Sequence, residues 1–288
     1  MRLVEEGKNL LLTQIKDFDI KQTLECGQCF NFIELADKDY AILAQGRDLR
    51  IKQEGHDLVF FDTDKKIMEE VWIPYFDLDR DYEAIKKDLL NMDPKLEVSI
   101  KALYGMRILR QDFFETLISF ILSQNKQIPQ IKACVRNISR LRGKEVEHGY
   151  LFPTYDEMKD ISEEELKECK TGFRAGYVLS ALDSYGKGLL DEDQLKAMDS
   201  LSCNQVLKQV KGIGDKVANC ISLFSLDHRD AFPVDVWIKR IMEEVYFDGQ
   251  ETKNALIEAY GKKTYGQLGG YAQQYIFYYG RDLKKKKN

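Results

Sequence analysis

A turn between two apolar stretches, in residues 207–221, holds the residues whose types and spacing best suit chemistry. One helical stretch runs into Gly212-Ile213-Gly214, and a second stretch begins directly after it. Backbone N–H groups at such a turn have no intrahelical partner, and no side chain obstructs them. This geometry suits the binding of a phosphate, although a tight structural turn between packed helices would show the same pattern.

Three reactive side chains follow this turn. Lys216 lies in the first turn of the second helix, where the helix macrodipole disfavours a positive charge and favours a neutral, nucleophilic amine. Cys220 lies one helical turn further along the same face, so both side chains can line one wall of a pocket. Asp235 stands at a predicted helix start after Pro233, where it could also serve only as an N-cap.

A lysine and an aspartate in this setting suit the cleavage of a glycosidic bond at a nucleotide. The lysine amine must be uncharged to attack the sugar carbon. The Asp235 carboxylate would stabilise the positive charge that develops on the sugar, and it would orient the nucleophile. The resulting imine is an electron sink, so elimination could then cut the strand on the 3′ side.

The elements that position these residues fall into two parts, and together they predict an α+β fold. Apolar side chains alternate as in strands over residues 39–45 and 48–52, and an apolar run follows at 58–61. Glycine-containing turns separate these segments, so an antiparallel meander is the simplest arrangement. We therefore predict an N-terminal antiparallel β-sheet domain over residues 1–97, with its end near Pro94.

Helical spacing begins near residue 81. Tyr82, Ile85 and Leu89 share one helical face, and a second apolar face runs from Phe113 to Leu122. Residues 98–288 are predicted to be a mainly α-helical region with two subdomains and the active site in the cleft between them.

Charge is distributed unevenly along the 288 residues, whose net charge is −5. Residues 101–144 contain nine Lys or Arg against two acidic residues, and residues 204–288 contain fourteen against ten. These two basic regions in an acidic chain are compatible with a nucleic-acid partner, although ordinary solvated helix faces would also account for them.

Other functional classes have little support. No apolar run approaches the roughly 20 residues that span a bilayer, and two acids stand near the N-terminus where a secretory signal would be apolar. We therefore expect a cytoplasmic protein that does not associate with membranes. Six scattered cysteines suggest reduced thiols, and Cys26-Gly27-Gln28-Cys29 lacks the second pair that a zinc site needs.

The hairpin segment Val210-Lys211-Gly212-Ile213-Gly214-Asp215-Lys216-Val217-Ala218, with Asp235 nineteen positions after the lysine, resembles the helix-hairpin-helix DNA glycosylases. Among them it is most similar to the 8-oxoguanine DNA glycosylases. Further similar motifs are Thr23 to Phe32, Tyr75 to Tyr82, Ile121-Leu122-Ser123-Gln124-Asn125, Gly172-Phe173-Arg174-Ala175 and Gly270-Tyr271-Ala272-Gln273. The resemblance therefore covers nearly the whole chain.

This resemblance implies a DNA repair enzyme that excises 8-oxoguanine from duplex DNA and also acts as an AP lyase. Lys216 would be the Schiff-base nucleophile and Asp235 its acidic partner. The resemblance also implies four residues that recognise the flipped base. The carbonyl of Gly27 would accept a hydrogen bond from N7, and Gln273 would read the Watson–Crick edge. Cys220 and Phe277 would pack against the two faces of the ring.

The resemblance also implies a set of positions that face DNA: Asn125, Phe173, Arg174, Gly212, Gly214 and Trp237. Asn125 would fill the space left by the extruded nucleotide. Eukaryotic members carry arginine and tyrosine where this chain has Gln130 and Phe173, so of their three residues that recognise the opposite cytosine only Arg174 remains. We therefore expect weaker discrimination among opposite bases. Trp237 replaces a phosphate-contacting histidine, so another donor must hold that phosphate.

No cofactor is expected to be required. Backbone carbonyls of Lys208, Val210 and Ile213 are candidates to hold a cation at the hairpin. We expect a monomer that acts on DNA containing 8-oxoguanine inside a bacterial-type or archaeal-type cell, in association with the nucleoid.

Two alternatives remain open at this stage. An alkylated-base glycosylase would use Asp235 with an activated water molecule and no lysine, so Lys216 argues against it. A non-catalytic hairpin adaptor would use Lys216 only to pair with a DNA phosphate. An iron-sulfur lyase is excluded, because it would need four closely spaced C-terminal cysteines and none follows Cys220.

Overall fold

The structure is a computed structural model that describes residues 2–286, with side chains for residues 2–281. Its strands are β1 (Arg2–Glu6), β2 (Asn9–Thr13), β3 (Phe32–Ala36), β4 (Asp39–Ala44), β5 (Arg47–Glu54), β6 (Asp57–Phe60), β7 (Glu145–Val146) and β8 (Gly149–Tyr150). Its α-helices are α1 (Ile20–Glu25), α2 (Lys65–Ile67), α3 (Ile73–Tyr75), α4 (Tyr82–Met92), α5 (Glu97–Ala102), α6 (Phe113–Leu122), α7 (Ile128–Arg142), α8 (Tyr155–Met158), α9 (Glu163–Glu168), α10 (Ala175–Gly186), α11 (Glu192–Ala197), α12 (Ser200–Leu207), α13 (Asp215–Ser225), α14 (Val236–Tyr246), α15 (Asn254–Tyr265) and α16 (Gly269–Lys286). A π-helical turn lies at Met68–Trp72, and 3-10 turns lie at Pro94–Leu96, Gly172–Arg174 and Gly266–Leu268.

The N-terminal part is an antiparallel sheet, which confirms the α+β prediction. Within the described residues, six strands pair in the order β1-β2-β6-β5-β4-β3. Strands β4 to β6 form the predicted meander, and β3 extends it by pairing with β4. Gln45 and Gly46 take the positive φ values that a two-residue hairpin turn needs. Sequence analysis did not predict β1, β2 or β3. The residues of β3 after Phe32 are exposed, so this edge strand shows no alternation between a buried and a solvated face.

Two groups of buried apolar side chains form the interior. One covers the inner face of the sheet, where Trp72 and Phe76 pack beside the strands. The other lies among the helices and also takes in Cys26 and Phe30 from the N-terminal part, while Leu109 belongs to the sheet's core. The two parts therefore share side chains across their boundary. The division at residue 97 stays a prediction.

Helix α6 is the central element of the helical part. Most of its side chains are buried, and the side chain of Asp112 caps its start by accepting a hydrogen bond from the Glu115 N–H at 2.8 Å. Phe120 of α6 stacks on Phe224 of α13, with ring centroids 5.3 Å apart and planes 14° from parallel. This contact fixes the position of α13 relative to α6.

Helices α12 and α13 form the predicted helix-hairpin-helix. Asn204 on α12 donates to the side-chain oxygen of Asn219 on α13 at 3.1 Å, and Ser222 donates to Asn204 at 2.7 Å. All three side chains are buried, so their mutual hydrogen bonds hold the two helices in one register.

Among the residues that the structure describes, no helix is both long enough and apolar enough to cross a bilayer. The six cysteines are free thiols. In the same part of the chain, no cluster of three or more His, Cys, Asp or Glu side chains is arranged to hold a metal ion.

A partly buried carboxyl group at the boundary of the two parts predicts a pH-dependent stability. Glu115 lies beside Cys29, Tyr75 and Gln111, and burial, together with the charge of Asp112, raises the pKa of its carboxyl well above the usual range. The folded protein therefore holds this proton more tightly than the unfolded chain does. As a result, stability falls as the pH rises from the ordinary glutamate range through the raised pKa.

We expect Glu115→Gln to raise the free energy of unfolding by about 1 kcal/mol at pH 8 and to change it little at pH 4, since it removes a partly buried charge that has no hydrogen-bonding partner among the described residues. Urea denaturation at both pH values measures the difference. The exposed Glu164, in the first turn of α9, is the matched control, and Glu164→Gln should show no such gain at pH 8. A Glu115→Gln protein no more stable than wild type at pH 8 would contradict this account.

Candidate active site

Lys216 is the second residue of α13, as predicted, and its amine is held against the end of α6. Its Nζ donates a hydrogen bond to Ser123 Oγ at 3.0 Å. It also lies 5.2 Å from the ring centroid of Phe120. The amine is therefore directed toward the interior of the helical part, and it pairs with an uncharged acceptor.

Cys220 lies one turn further along α13 and is buried. Burial raises the pKa of the Cys220 thiol to about 11, and the charge of Lys216 and its hydrogen bond to the thiol counteract this in part. The nearby charge of Asp235 raises the thiol pKa further. The three side chains are thus close enough to interact, and the Cys220 thiol is an apolar surface rather than a nucleophile.

Asp235 caps the start of α14, and it also faces Lys216. Its carboxylate accepts a hydrogen bond from the Ile238 N–H at 2.8 Å, so the N-cap role considered from sequence is present. Burial raises the pKa of the Asp235 carboxyl, while the Ile238 hydrogen bond and the charge of Lys216 oppose the rise. A carboxylate with little water around it attracts a nearby positive charge more strongly than an exposed one does.

Gly27 brings backbone close to the ring of Phe277. Its φ of +90° favours glycine, and a Cβ at this position would lie 3.1 Å from Ile128 Cδ1 and 3.5 Å from Phe277 Cε1. A side chain would therefore fill the space between the N-terminal loop and α16. The structure brings together two residues that are 250 positions apart in sequence and that were both predicted to contact the base.

Gln28, the next residue, anchors this loop, and sequence analysis assigned it no role. Its side chain donates to the carbonyls of Thr23 at 2.7 Å and Arg107 at 2.8 Å, and it accepts from the Leu109 N–H at 2.9 Å. The side chain of Gln111 donates to its backbone carbonyl at 2.8 Å. The motif at residues 23–32 contains this glutamine and could have pointed to it. Its partners Arg107 and Leu109, however, lie 79 and 81 residues away in sequence.

Gln273 on α16 is buried, with 4% of its surface exposed. Its Nε2 donates to the carbonyl of Pro233 at 3.2 Å, while its Oε1 has no hydrogen-bond partner among the described residues. An unpaired buried acceptor is costly, so it is a natural contact for a ligand that carries a donor. The Pro233 contact places Gln273 beside the segment that leads into Asp235.

The hairpin, Tyr177 and Phe173 form one continuous surface. Gly212 has a φ of +94°, and a Cβ there would lie 2.3 Å from Tyr177 Cγ. The Tyr177 ring in turn contacts the ring of Phe173, which is 60% exposed, at a centroid distance of 5.8 Å. Gly214 precedes α13 without a side-chain cap and has open space around it, so the N–H groups of the first turn are accessible.

Two matches to known families account for this arrangement. Residues 10–117 match the 8-oxoguanine DNA glycosylase, N-terminal domain, and residues 118–265 match the HhH-GPD superfamily base excision DNA repair protein. The chain belongs to the HhH-GPD superfamily of base excision DNA repair proteins.

Relatives of this HhH-GPD protein match most of its length. A crystal structure described as Clostridium acetobutylicum 8-oxoguanine glycosylase/lyase in complex with dsDNA containing cytosine opposite to 8-oxoG is 38% identical, covers 99% of each chain and has a TM-score of 0.95. The probable N-glycosylase/DNA lyase of Methanothermobacter thermautotrophicus is 27% identical over 93% of this chain and 95% of its own. The N-glycosylase/DNA lyase OGG1 of Arabidopsis thaliana is 27% identical, and the match covers 88% and 75%.

Within this HhH-GPD fold, Arg174 supports the loop that carries Asn125. Only 5% of Arg174 is exposed, and its guanidinium donates to the carbonyls of Thr171, Gln124 and Asn125. Asn125 itself is exposed and has a positive φ of 50°. The structure thus places Arg174 behind the loop, and its predicted contact with an opposite base stays a prediction.

Two further predictions for the HhH-GPD site remain open in the structure. Trp237 is partly buried, and the guanidinium of the exposed Arg240 lies 5.8 Å from its ring, so Arg240 is a candidate for the missing phosphate donor.

At the hairpin, the Val210 carbonyl already accepts a hydrogen bond from the Ile213 N–H at 3.0 Å. The cation site at Lys208, Val210 and Ile213 stays a prediction.

The two hairpin glycines should respond differently to substitution. We expect Gly212→Ala to lower the free energy of unfolding by about 1–3 kcal/mol, because the positive φ and the Tyr177 ring both exclude a Cβ. Gly214→Ala is the matched control for stability, since its φ of −99° and open surroundings accept a methyl group within about 0.5 kcal/mol. Urea denaturation measures both values. Equal losses in the two variants would show that the Tyr177 contact does not constrain the turn.

Proposed function

We propose that this protein excises 8-oxoguanine from duplex DNA and then cleaves the strand at the resulting abasic site. The observation that carries this proposal is the position of the Lys216 amine, which interacts with both Asp235 and Cys220 directly behind a helix-hairpin-helix turn. A partly buried lysine near a carboxyl group suits an imine-forming glycosylase, because the amine can act as the nucleophile and the carboxylate can stabilise the charge on the sugar. Relatives named N-glycosylase/DNA lyase and 8-oxoguanine glycosylase/lyase support the same activity.

The reaction follows from these groups. The uncharged Lys216 amine attacks C1′ of the nucleotide, the bond from C1′ to N9 breaks, and the oxidised base leaves with the bonding electrons. Asp235 stabilises the positive charge on the sugar during this step. The nitrogen gives up one proton, which the departing base takes. The sugar ring then opens as its oxygen takes up a proton, which leaves a protonated imine between Lys216 and C1′. Removal of a proton from C2′ sends electrons toward this imine and expels the 3′ phosphate.

We attribute base selection to polar groups on the Gly27 loop and on α16. The carbonyl of Gly27 accepts the hydrogen that 8-oxoguanine carries on N7 and guanine lacks. Without that hydrogen the carbonyl would be left unpaired, at a cost of about 1–3 kcal/mol. The free Gln273 Oε1 accepts from the Watson–Crick edge, and Phe277 and Cys220 pack against the faces of the ring.

The DNA partner is bound through the surface around the hairpin. Phosphate contacts use the N–H groups of the first turn of α13, after Gly214. The Asn125 loop enters the space left by the extruded nucleotide, and Phe173 and Trp237 lie at the edges of this surface. All of these groups come from one chain, which supports action as a monomer. We place this activity in the bacterial or archaeal cytoplasm, at the nucleoid, and without a required cofactor.

The two alternatives are not favoured. An alkylated-base glycosylase that relies on water would have no use for an amine held near Cys220 and Asp235. A DNA-binding adaptor would present Lys216 at the surface, whereas the amine is hydrogen-bonded to the side chain of Ser123 inside the helical part.

Trapping with sodium borohydride tests the proposed chemistry. Wild-type protein should form a covalent adduct with a duplex that contains 8-oxoguanine opposite cytosine, and Lys216→Gln should form none. Asp235→Asn should slow base release by about 100-fold or more while the DNA is still bound, because the stabilising charge is lost. A wild-type protein that binds the duplex but yields neither adduct nor free base would support the adaptor instead.

The residues around Arg174 predict relaxed opposite-base discrimination. Gln130 and Phe173 are exposed and replace the arginine and tyrosine of eukaryotic relatives, and Arg174 is held by backbone carbonyls. We expect single-turnover excision rates opposite the four bases to differ by about tenfold or less, which corresponds to about 1.4 kcal/mol. Gln130→Arg combined with Phe173→Tyr should increase the preference for cytosine. A strong cytosine preference in the wild type would refute this expectation.

A further inference from the structure

Ser123 is the C-cap residue of α6. Among the described residues, it has the only side-chain oxygen or nitrogen atom that accepts a hydrogen bond from the Lys216 amine. Its Oγ accepts from Lys216 Nζ at 3.0 Å and donates its own hydrogen to the carbonyl of Phe120 at 2.7 Å. From this juxtaposition we infer that Ser123 is a positioning residue, which holds the Lys216 nitrogen with its lone pair directed at the substrate. The inference rests on the function proposed above.

The direction of the Ser123 hydroxyl hydrogen is the central point. A serine hydroxyl has one hydrogen and two lone pairs. Since the Phe120 carbonyl takes the hydrogen, only lone pairs face Lys216. A freely rotating hydroxyl could donate to an uncharged amine and mask its lone pair. Here the amine must donate one N–H to Ser123, so its lone pair points away from the serine.

The serine is also held rigidly. Its backbone N–H donates to the carbonyls of Ser119 at 3.0 Å and Phe120 at 3.2 Å, which closes the last turn of α6. On the following residue, Gln124, the carbonyl accepts from Arg174 Nε at 2.6 Å. Because Ser123 is on α6 and Lys216 is on α13, the packing of these two helices sets the place of the nitrogen.

The same contact persists through the reaction. When the nitrogen bonds to C1′ and releases a proton, the protonated imine that follows keeps one N–H, and Ser123 Oγ can accept from it. Ser123 touches the nucleophile and not the leaving base. Its loss should therefore reduce the rate of the chemical step without changing affinity for DNA.

Ser119 is the matched control for this role. It lies one turn earlier on α6 and is also buried, with 3% of its surface exposed against 9% for Ser123. Its Oγ has no hydrogen-bond partner among the described residues. Ser119→Ala and Ser123→Ala remove the same atom from the same helix. They differ in the contacts of that atom, since only Ser123 Oγ binds Lys216 Nζ and the Phe120 carbonyl. Ser123→Thr, which keeps both contacts, therefore serves as the second control.

The experiment measures single-turnover release of 8-oxoguanine at saturating enzyme, borohydride adduct formation, DNA affinity and melting temperature. We expect Ser123→Ala to lower the release rate and the rate of adduct formation about 10- to 100-fold, since misplacing a reacting group costs that much. Its DNA affinity should be unchanged, and Ser119→Ala should match the wild type throughout. Ser123→Thr, which keeps the hydroxyl, should recover most of the lost rate even if alanine lowers the melting temperature.

The outcomes separate this inference from the proposed function. Wild-type adduct formation together with a wild-type rate for Ser123→Ala overturns the role of Ser123 and leaves the function standing. Equal losses in Ser123→Ala and Ser119→Ala, or in Ser123→Ala and Ser123→Thr, overturn it as well. If the wild type forms no adduct and releases no base, the proposed function itself fails.

Discussion

The packing of α13 against α6 is the contact on which the rest of the site depends. Phe120 and Phe224 stack across these helices, and the next polar group on α6, Ser123, receives the Lys216 amine. A lysine side chain is long and flexible, so an exposed amine at this position would sample many orientations. The hydrogen bond to Ser123 and the packing of the two helices limit it to one region, near the Asp235 carboxyl.

A second constraint ties the sheet to the helices. The side chain of Gln28 forms hydrogen bonds with backbone groups near the start of the chain and with backbone groups at Arg107 and Leu109. These hydrogen bonds hold the adjacent Gly27 against Phe277. From Phe277, helix α16 leads one turn back to Gln273, and Gln273 reaches the segment before Asp235 through Pro233. The groups for selecting a base and the groups for removing it are therefore parts of one connected structure.

Much of the fold was predictable because it follows from local patterns. Alternating residues gave the meander from β4 to β6, and helical spacing gave α4 and α6. The edge strand β3 was missed because its residues after Phe32 are exposed, so no buried face marked it. The anchoring role of Gln28 was missed for a different reason: its partners at Arg107 and Leu109 are close only after folding.

The amino-acid sequence by itself determined the chemical groups and their local setting. Lys216 in a first helical turn and Asp235 at a helix start follow from glycine and proline positions, and short-range backbone preferences are enough to place them. Only the tertiary structure decided what surrounds those groups. That Ser123 faces Lys216, that Arg174 is buried behind the Asn125 loop, and that Gln273 keeps a free acceptor all depend on side chains from distant segments, whose contacts arise from the packing of whole helices.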